Sequence, residues 1–227
     1  DRTSRGLGDV YKRQAQDGGR PQAGCSKSCC IGLAPNEHSF PTSLGIIGQN
    51  KLHIIDVTRN LGNQLQYLDN RVPDEVWLTH AHVGHVDGLG LFGRETMNVK
   101  DVKLHVSNRM LELINQTPHW QIMLEQGVFS IDEINDGESR QQTGFSITPI
   151  LVPHRGELSD THAFIIRGDN KSLLYLPDHD SWDETLSLYG MNTIREWLAS
   201  LNVDIALLDG TFWSYDELSE RSQQVVP

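Results

Sequence analysis

Residues 78–91 read LTHAHVGHVDGLGL and set three histidines, His80, His82 and His85, within six positions. The run before them, EVWLT at 75–79, is short and largely apolar, so it reads as a buried strand feeding directly into the first histidine. On extended backbone His80 and His82, two positions apart, project their rings to the same side. The glycines that follow let the chain turn sharply. Neutral imidazole suits zinc, iron or manganese, and three protein ligands with a water form a catalytic metal site. A lone histidine in such a loop is ordinarily a surface residue. Three at H-x-H-x-x-H spacing behind a buried strand, with further candidates at later strand ends, are read as metal ligands.

Outward from this centre, strands and helices alternate. SLGIIG at 43–48 and LHIIDV at 52–57 flank a turn at Gln49, Asn50 and Lys51 as a hairpin. Residues 58–70 carry Leu61, Leu65 and Leu68 at spacings of four and three, a helical signature. KLHVS at 103–107 reads as a strand and 108–115 as a helix. GFSITPILVP at 144–153 is strand-like and stops immediately before His154. HAFIIRG and SLLYLPD form a second hairpin across Gly168, Asp169 and Asn170, and run to Asp178. One helix is expected over 184–201 and a last strand in DIALLDG at 204–210. Paired strands interleaved with helices make a layered α/β protein, two sheets with helices outside. His80, His154 and Asp178 all stand where an expected strand ends, and loops at strand ends are where sites gather.

These motifs carry a resemblance. THAHVGH resembles the T-H-x-H-x-D-H signature of the metallo-β-lactamase superfamily, and the likeness continues through His154 and Asp178. AQDGGRPQAGC, LVPHR and LLDGTF make the chain more closely similar to pyrroloquinoline quinone biosynthesis protein B-like proteins. A looser likeness is to the cysteine-rich phosphodiesterases of the same superfamily. The resemblance covers about residues 15–212 and implies an αββα sandwich. It implies His80, His82 and His154 as ligands of a first metal, Asp178 as the carboxylate bridging two metals, and His85 as a ligand of the second. Asp178 and His85 are the candidate catalytic residues. In the chemistry so implied, Asp178 orients the attacking water or accepts its proton. The plainer reading of PDHD at 177–180 is a polar turn after a strand; His179 is given that reading, with Asp180 a weaker candidate.

Two departures bear on the number of ions. Gly84 stands where the signature has its aspartate, and no histidine follows His179 to close the second site. Asp87 is a substitute carboxylate, out of register for a direct replacement. One active-site ion is therefore expected to be held tightly, zinc first, with iron or manganese as alternatives. Asp17 in QDGG either leans toward the metal pocket or caps its own turn. Asp56, ending LHIIDV, is expected to hold the histidine loop by hydrogen bonds, and Asp209 to stand behind a histidine ligand. His53, His105 and His119 read as packing or surface residues.

Cys25, Cys29 and Cys30 fall within six residues, a poor disulfide framework and a fair metal-ligand set. Structural zinc with His38 as a fourth ligand, free thiols, and a redox role all stay open. Acidic residues outnumber basic ones by 11 (30 against 19), which disfavours non-specific nucleic-acid or anionic-membrane binding; the partner expected is a small-molecule substrate. No apolar run reaches the roughly 20 residues of a membrane span. Residues 1–14 lack pattern and are read as artefactual or disordered; 15–227 are read as one domain, cut short at both ends. Three functions fit these observations: a metal-dependent hydrolase of a small ester or phosphodiester, a quinone-cofactor biosynthesis protein with a metal-dependent oxidative role, and a non-catalytic relative keeping one metal.

Overall fold

The computed structural model describes residues 14–15 and 17–210. Residues 1–13, which make up most of the leading segment, and the chain after Gly210 lie outside them. The chain divides into two compact units between Glu133 and Ile134.

The first unit is built on a five-stranded sheet. Two short strands precede it, β1 (Gln14–Ala15) and β2 (Phe40–Pro41), paired in parallel. Then come β3 (Leu44–Gly48), β4 (Lys51–Ile55), α1 (Leu61–Gln66), β5 (Glu75–Trp77), α2 (Val83–Val86), β6 (Val102–Val106), α3 (Asn108–Gln116), α4 (Pro118–Glu125) and β7 (Phe129–Glu133). The strand order is β3-β4-β5-β6-β7. β3 and β4 are the expected antiparallel hairpin, closed where Gly48 faces Lys51. Gln49 and Asn50 both have positive φ, the backbone a two-residue hairpin turn requires. The remaining pairs are parallel.

Alternation along the strands separates two faces. Leu52, Ile54, Val76, Leu104 and Val106 join Leu61, Leu65, Met110, Ile114 and Met123 in one apolar core. The other face carries His53, Glu75, Trp77 and His105, all buried. There the Glu75 carboxylate lies 2.8 Å from His105 Nε2, 3.5 Å from His53 Nδ1 and 3.1 Å from Lys51 Nζ. Burial pushes Glu75 up, but these hydrogen bonds win and hold it well below the usual carboxylate range. Burial pushes His105 down, so it is the neutral donor of the pair, and it stacks on Trp77 with ring centroids 3.5 Å apart. His53 and His105 are thus packing residues, as their strand setting implies.

The second unit holds β8 (Arg140–Gln142), β9 (Phe145–Val152), β10 (Thr161–Gly168), β11 (Ser172–Leu176), α5 (Trp182–Tyr189), α6 (Ile194–Leu201) and β12 (Ile205–Leu208), with sheet order β12-β11-β10-β9-β8. The hairpin across Gly168 is present, with Arg167 opposite Ser172. Ile150, Val152, Ala163, Ile165, Leu174 and Leu176 pack with Trp197 of α6 and with Trp182, Leu186 and Tyr189 of α5.

Three elements differ from expectation. The helix over 58–70 shrinks to α1, because Asp69 and Asn70 turn left-handed; Leu68 stays buried beyond its end. β5 stops at Trp77, because the Thr79 N–H turns from the neighbouring strand to the Asp56 carboxylate. The single helix over 184–201 is two: Gly190 caps α5 in the left-handed region at φ 62°, and Thr193 starts α6 by accepting from Glu196 N–H.

Candidate metal centre

His80, His82 and His85 follow the C-terminal end of β5, the end of a parallel strand where open α/β sheets bind ligands. The backbone fastens this loop to the chain after β4. Asp56 N–H donates to Trp77 C=O (2.8 Å), Val57 N–H to His85 C=O (2.8 Å) and Gly88 N–H to Val57 C=O (2.8 Å). Asp56, fully buried, ties the side chains together. It accepts from Thr79 N–H at 2.8 Å, from Thr79 Oγ1 at 2.9 and 3.0 Å, and from His85 Nδ1 at 2.7 Å. Burial pushes the Asp56 carboxyl up, and the His85 and Thr79 contacts oppose that rise. Its expected role of holding the histidine loop by hydrogen bonds is what the structure has.

This arrangement selects a tautomer. The Thr79 hydroxyl gives its proton to Asp56, so toward His80 Nδ1, 2.9 Å away, it can only accept. His80 therefore carries its proton on Nδ1 and turns the Nε2 lone pair outward. That Nε2 lies 2.9 Å from His82 Nδ1. Two nitrogens bound to one tetrahedral zinc at 2.0–2.1 Å stand about 3.3–3.4 Å apart. A few tenths of an ångström of opening therefore seats an ion, and the histidine pair fits a metal.

In the second unit, His154 and Asp178 follow β9 and β11. His154 Nδ1 is 3.0 Å from Asp180 Oδ1, and Asp180 Oδ2 also accepts from Arg155 N–H at 2.9 Å. Asp180 thus does for His154 what Thr79 does for His80: it takes the Nδ1 proton and leaves Nε2, which Arg155 Nη2 approaches at 3.3 Å, as the candidate ligand atom. Nε2 lies 3.6 Å from Asp178 Oδ2, and Asp178 is buried. His179 turns to Thr185 Oγ1 (3.2 Å) and packs against Trp182; burial takes it down to about 4, which fits its structural reading.

Each unit therefore holds histidine and aspartate groups of the metal-ligand type: His80, His82 and His85 in one, His154 and Asp178 in the other. The sequence marks Thr79 and Asp180 as orienting groups only by their adjacency to candidate ligands. Asp87 turns to Arg59 at 3.1 Å. Asp17, in the turn after β1, places Oδ1 3.1 Å from His85 Nε2, so it leans toward the histidines.

Cys25, Cys29 and Cys30 are free thiols whose sulfur atoms all lie within 4.8 Å of one another, with Cys29 and Cys30 sulfurs 3.9 Å apart. The edge of a tetrahedral Zn–S site is about 3.8 Å, given bonds of about 2.3 Å. His38 is not in this group. The segment is pinned by Arg20 Nε donating to Cys29 C=O (2.7 Å) and by paired backbone bonds between Arg20 and Ser39.

The family profile described as "Beta-lactamase superfamily domain" matches residues 54–225, three quarters of the chain and both units. Among solved structures, zinc-bound PqqB from Methylobacterium extorquens is 18% identical, with a TM-score of 0.68 over 86% of this chain and 70% of that one. A diphosphatase of the PhnP family is 20% identical, with a TM-score of 0.53 over 70% of this chain and 60% of that one. The metallo-β-lactamase fold protein YhfI from Bacillus subtilis is 16% identical, with a TM-score of 0.52 over 68% and 61%. No curated protein sequence matches. At these identities the structural likenesses establish the fold, and the profile establishes the family: the chain has the metallo-β-lactamase fold and belongs to the β-lactamase superfamily domain family.

Proposed function

We propose that the chain is a metal-dependent hydrolase acting on a small ester or phosphodiester, with His80 and His82 in one unit and His154 and Asp178 in the other as its candidate metal ligands. The observation that carries this reading is the convergence of His80 Nε2 and His82 Nδ1, with Thr79 and Asp56 fixing the His80 tautomer. When bound, zinc supplies a water whose pKa falls from 15.7 to about 7 and a Lewis acid for the oxygen under attack. The rest belongs to the chain. Asp180 keeps the His154 ring in its ligating orientation, and Asp178, a buried acceptor beside it, orients the attacking water and takes its proton. His85, braced by Asp56, lines the same histidine loop. A separate structural zinc at Cys25, Cys29 and Cys30 is part of this proposal; changing all three to serine should lower the zinc content without removing what His80 and His82 hold.

The oxidative alternative, a role like that of a quinone-biosynthesis protein, drew its support from the aspartate lost at Gly84. A carboxylate from Asp17 standing against that glycine weakens it. The test is metal analysis of the chain as purified, then assay of the zinc-loaded protein on chromogenic carboxylic esters and phosphodiesters. Turnover that His80→Ala and Asp178→Asn each abolish supports hydrolysis. No turnover on either class by fully loaded protein would overturn it.

A further inference from the structure

Gly84 is the position where the histidine signature lacks its carboxylate, and the structure shows why a glycine is there. Its backbone is outside the left-handed region, so no conformational demand excludes a side chain. Space does. A Cβ at position 84 would lie 2.3 Å from Asp17 Cγ and 2.5 Å from both Asp17 Cβ and Oδ1. The volume a side chain at 84 would occupy is filled by the carboxylate of a residue far away in sequence.

We propose that Asp17 supplies, from the turn after β1, the carboxylate missing at Gly84, and that Asp17 and His85 are ligands of a second metal ion. The inference rests on the histidine loop being a metal site. His85 Nδ1 donates to Asp56 at 2.7 Å, so Nε2 is the ring atom that faces away from that bond and toward a metal. What it faces, at 3.1 Å, is an Asp17 carboxylate oxygen. A histidine nitrogen and a carboxylate oxygen aimed at each other are both metal-ligand atoms, and a cation between them would be held by both. Their separation is close to the roughly 3.3 Å edge of a tetrahedral site with bonds of 2.0–2.1 Å. The turn is held on both sides, by Gln14 and Ala15 pairing with Phe40 and Pro41, and by Arg20 pairing with Ser39. Asp17 therefore reaches His85 from anchored backbone. Asp87, the other substitute, is committed to Arg59.

The test compares zinc retained after dialysis, and the thermal midpoint, in the full chain and in Asp17→Asn, His85→Ala, Gly84→Asp and the double variant Asp17→Gly with Gly84→Asp. Asp17→Asn keeps the side chain's volume and removes its charge. It and His85→Ala should each release about one equivalent of zinc, because the ion loses one of its protein ligands. Gly84→Asp alone should lower the midpoint, because the new side chain meets Asp17. The double variant, which moves the carboxylate onto the histidine loop and clears its space, should recover both the midpoint and the lost equivalent. Asp17→Asn with its zinc count unchanged would overturn the assignment and leave Asp17 as an ion-pair partner of a protonated His85. If His80→Ala combined with His154→Ala releases no zinc, the metal reading of the loop fails, and the inference falls with it.

Discussion

The site depends at the residue scale on which nitrogen of each histidine carries the proton. Thr79 settles this for His80, so Thr79→Val, which keeps the shape and deletes the hydroxyl, should weaken zinc binding about 10–100-fold, measured by competition with a chromophoric chelator. An unchanged affinity would show that the ring is oriented without the hydroxyl. A second expectation concerns acid. His105 is held neutral by burial, with its folded pKa depressed below the roughly 6.5 of an unfolded histidine. The unfolded chain therefore takes the proton first, and stability present above about pH 6.5 is lost as the pH falls toward the folded value. Urea unfolding of the metal-free chain should show this decline, and His105→Gln should make it shallower; an equal slope in both would remove His105 as a contributor. The candidate ligands were legible because ligation needs particular residue types at particular spacings. Asp17 against Gly84 was not, because its meaning lies in a distance between atoms that sequence separation hides.

At the scale of elements, periodicity recovered those that bury one face and missed those that do not. Both hairpins were legible from their turns and flanking apolar runs. β8, RQQ, has no apolar alternation to read, and α4, PHWQIMLE, buries only Met123 fully. The 184–201 segment misled because apolar residues continue on both sides of Gly190 while the backbone turns left-handed there. Gly190 sits at φ 62° with open space where a Cβ would go. Gly190→Ala should therefore cost only the backbone penalty, about 1 kcal/mol, read as a drop of a few degrees in thermal midpoint. No change would mean that the cap relaxes to another conformation at no cost.

At the scale of the whole molecule, the family profile runs through both units, and among the described residues no helix is long and apolar enough to cross a membrane. The Asp56 contacts to Thr79 and His85 use only protein atoms, so they hold the histidine loop before any ion arrives. Stripping the chain with a chelator should leave the Thr79 and Val57 amides slow in hydrogen exchange, since each donates within this network. Rapid exchange at both would mean that the loop is assembled by its metal. Slow exchange has a practical corollary. A socket cast before it is filled would leave folding independent of which metal the chain meets. The same preparation would then accept emptying and recharging, each ion being held according to its own affinity for imidazole and carboxylate.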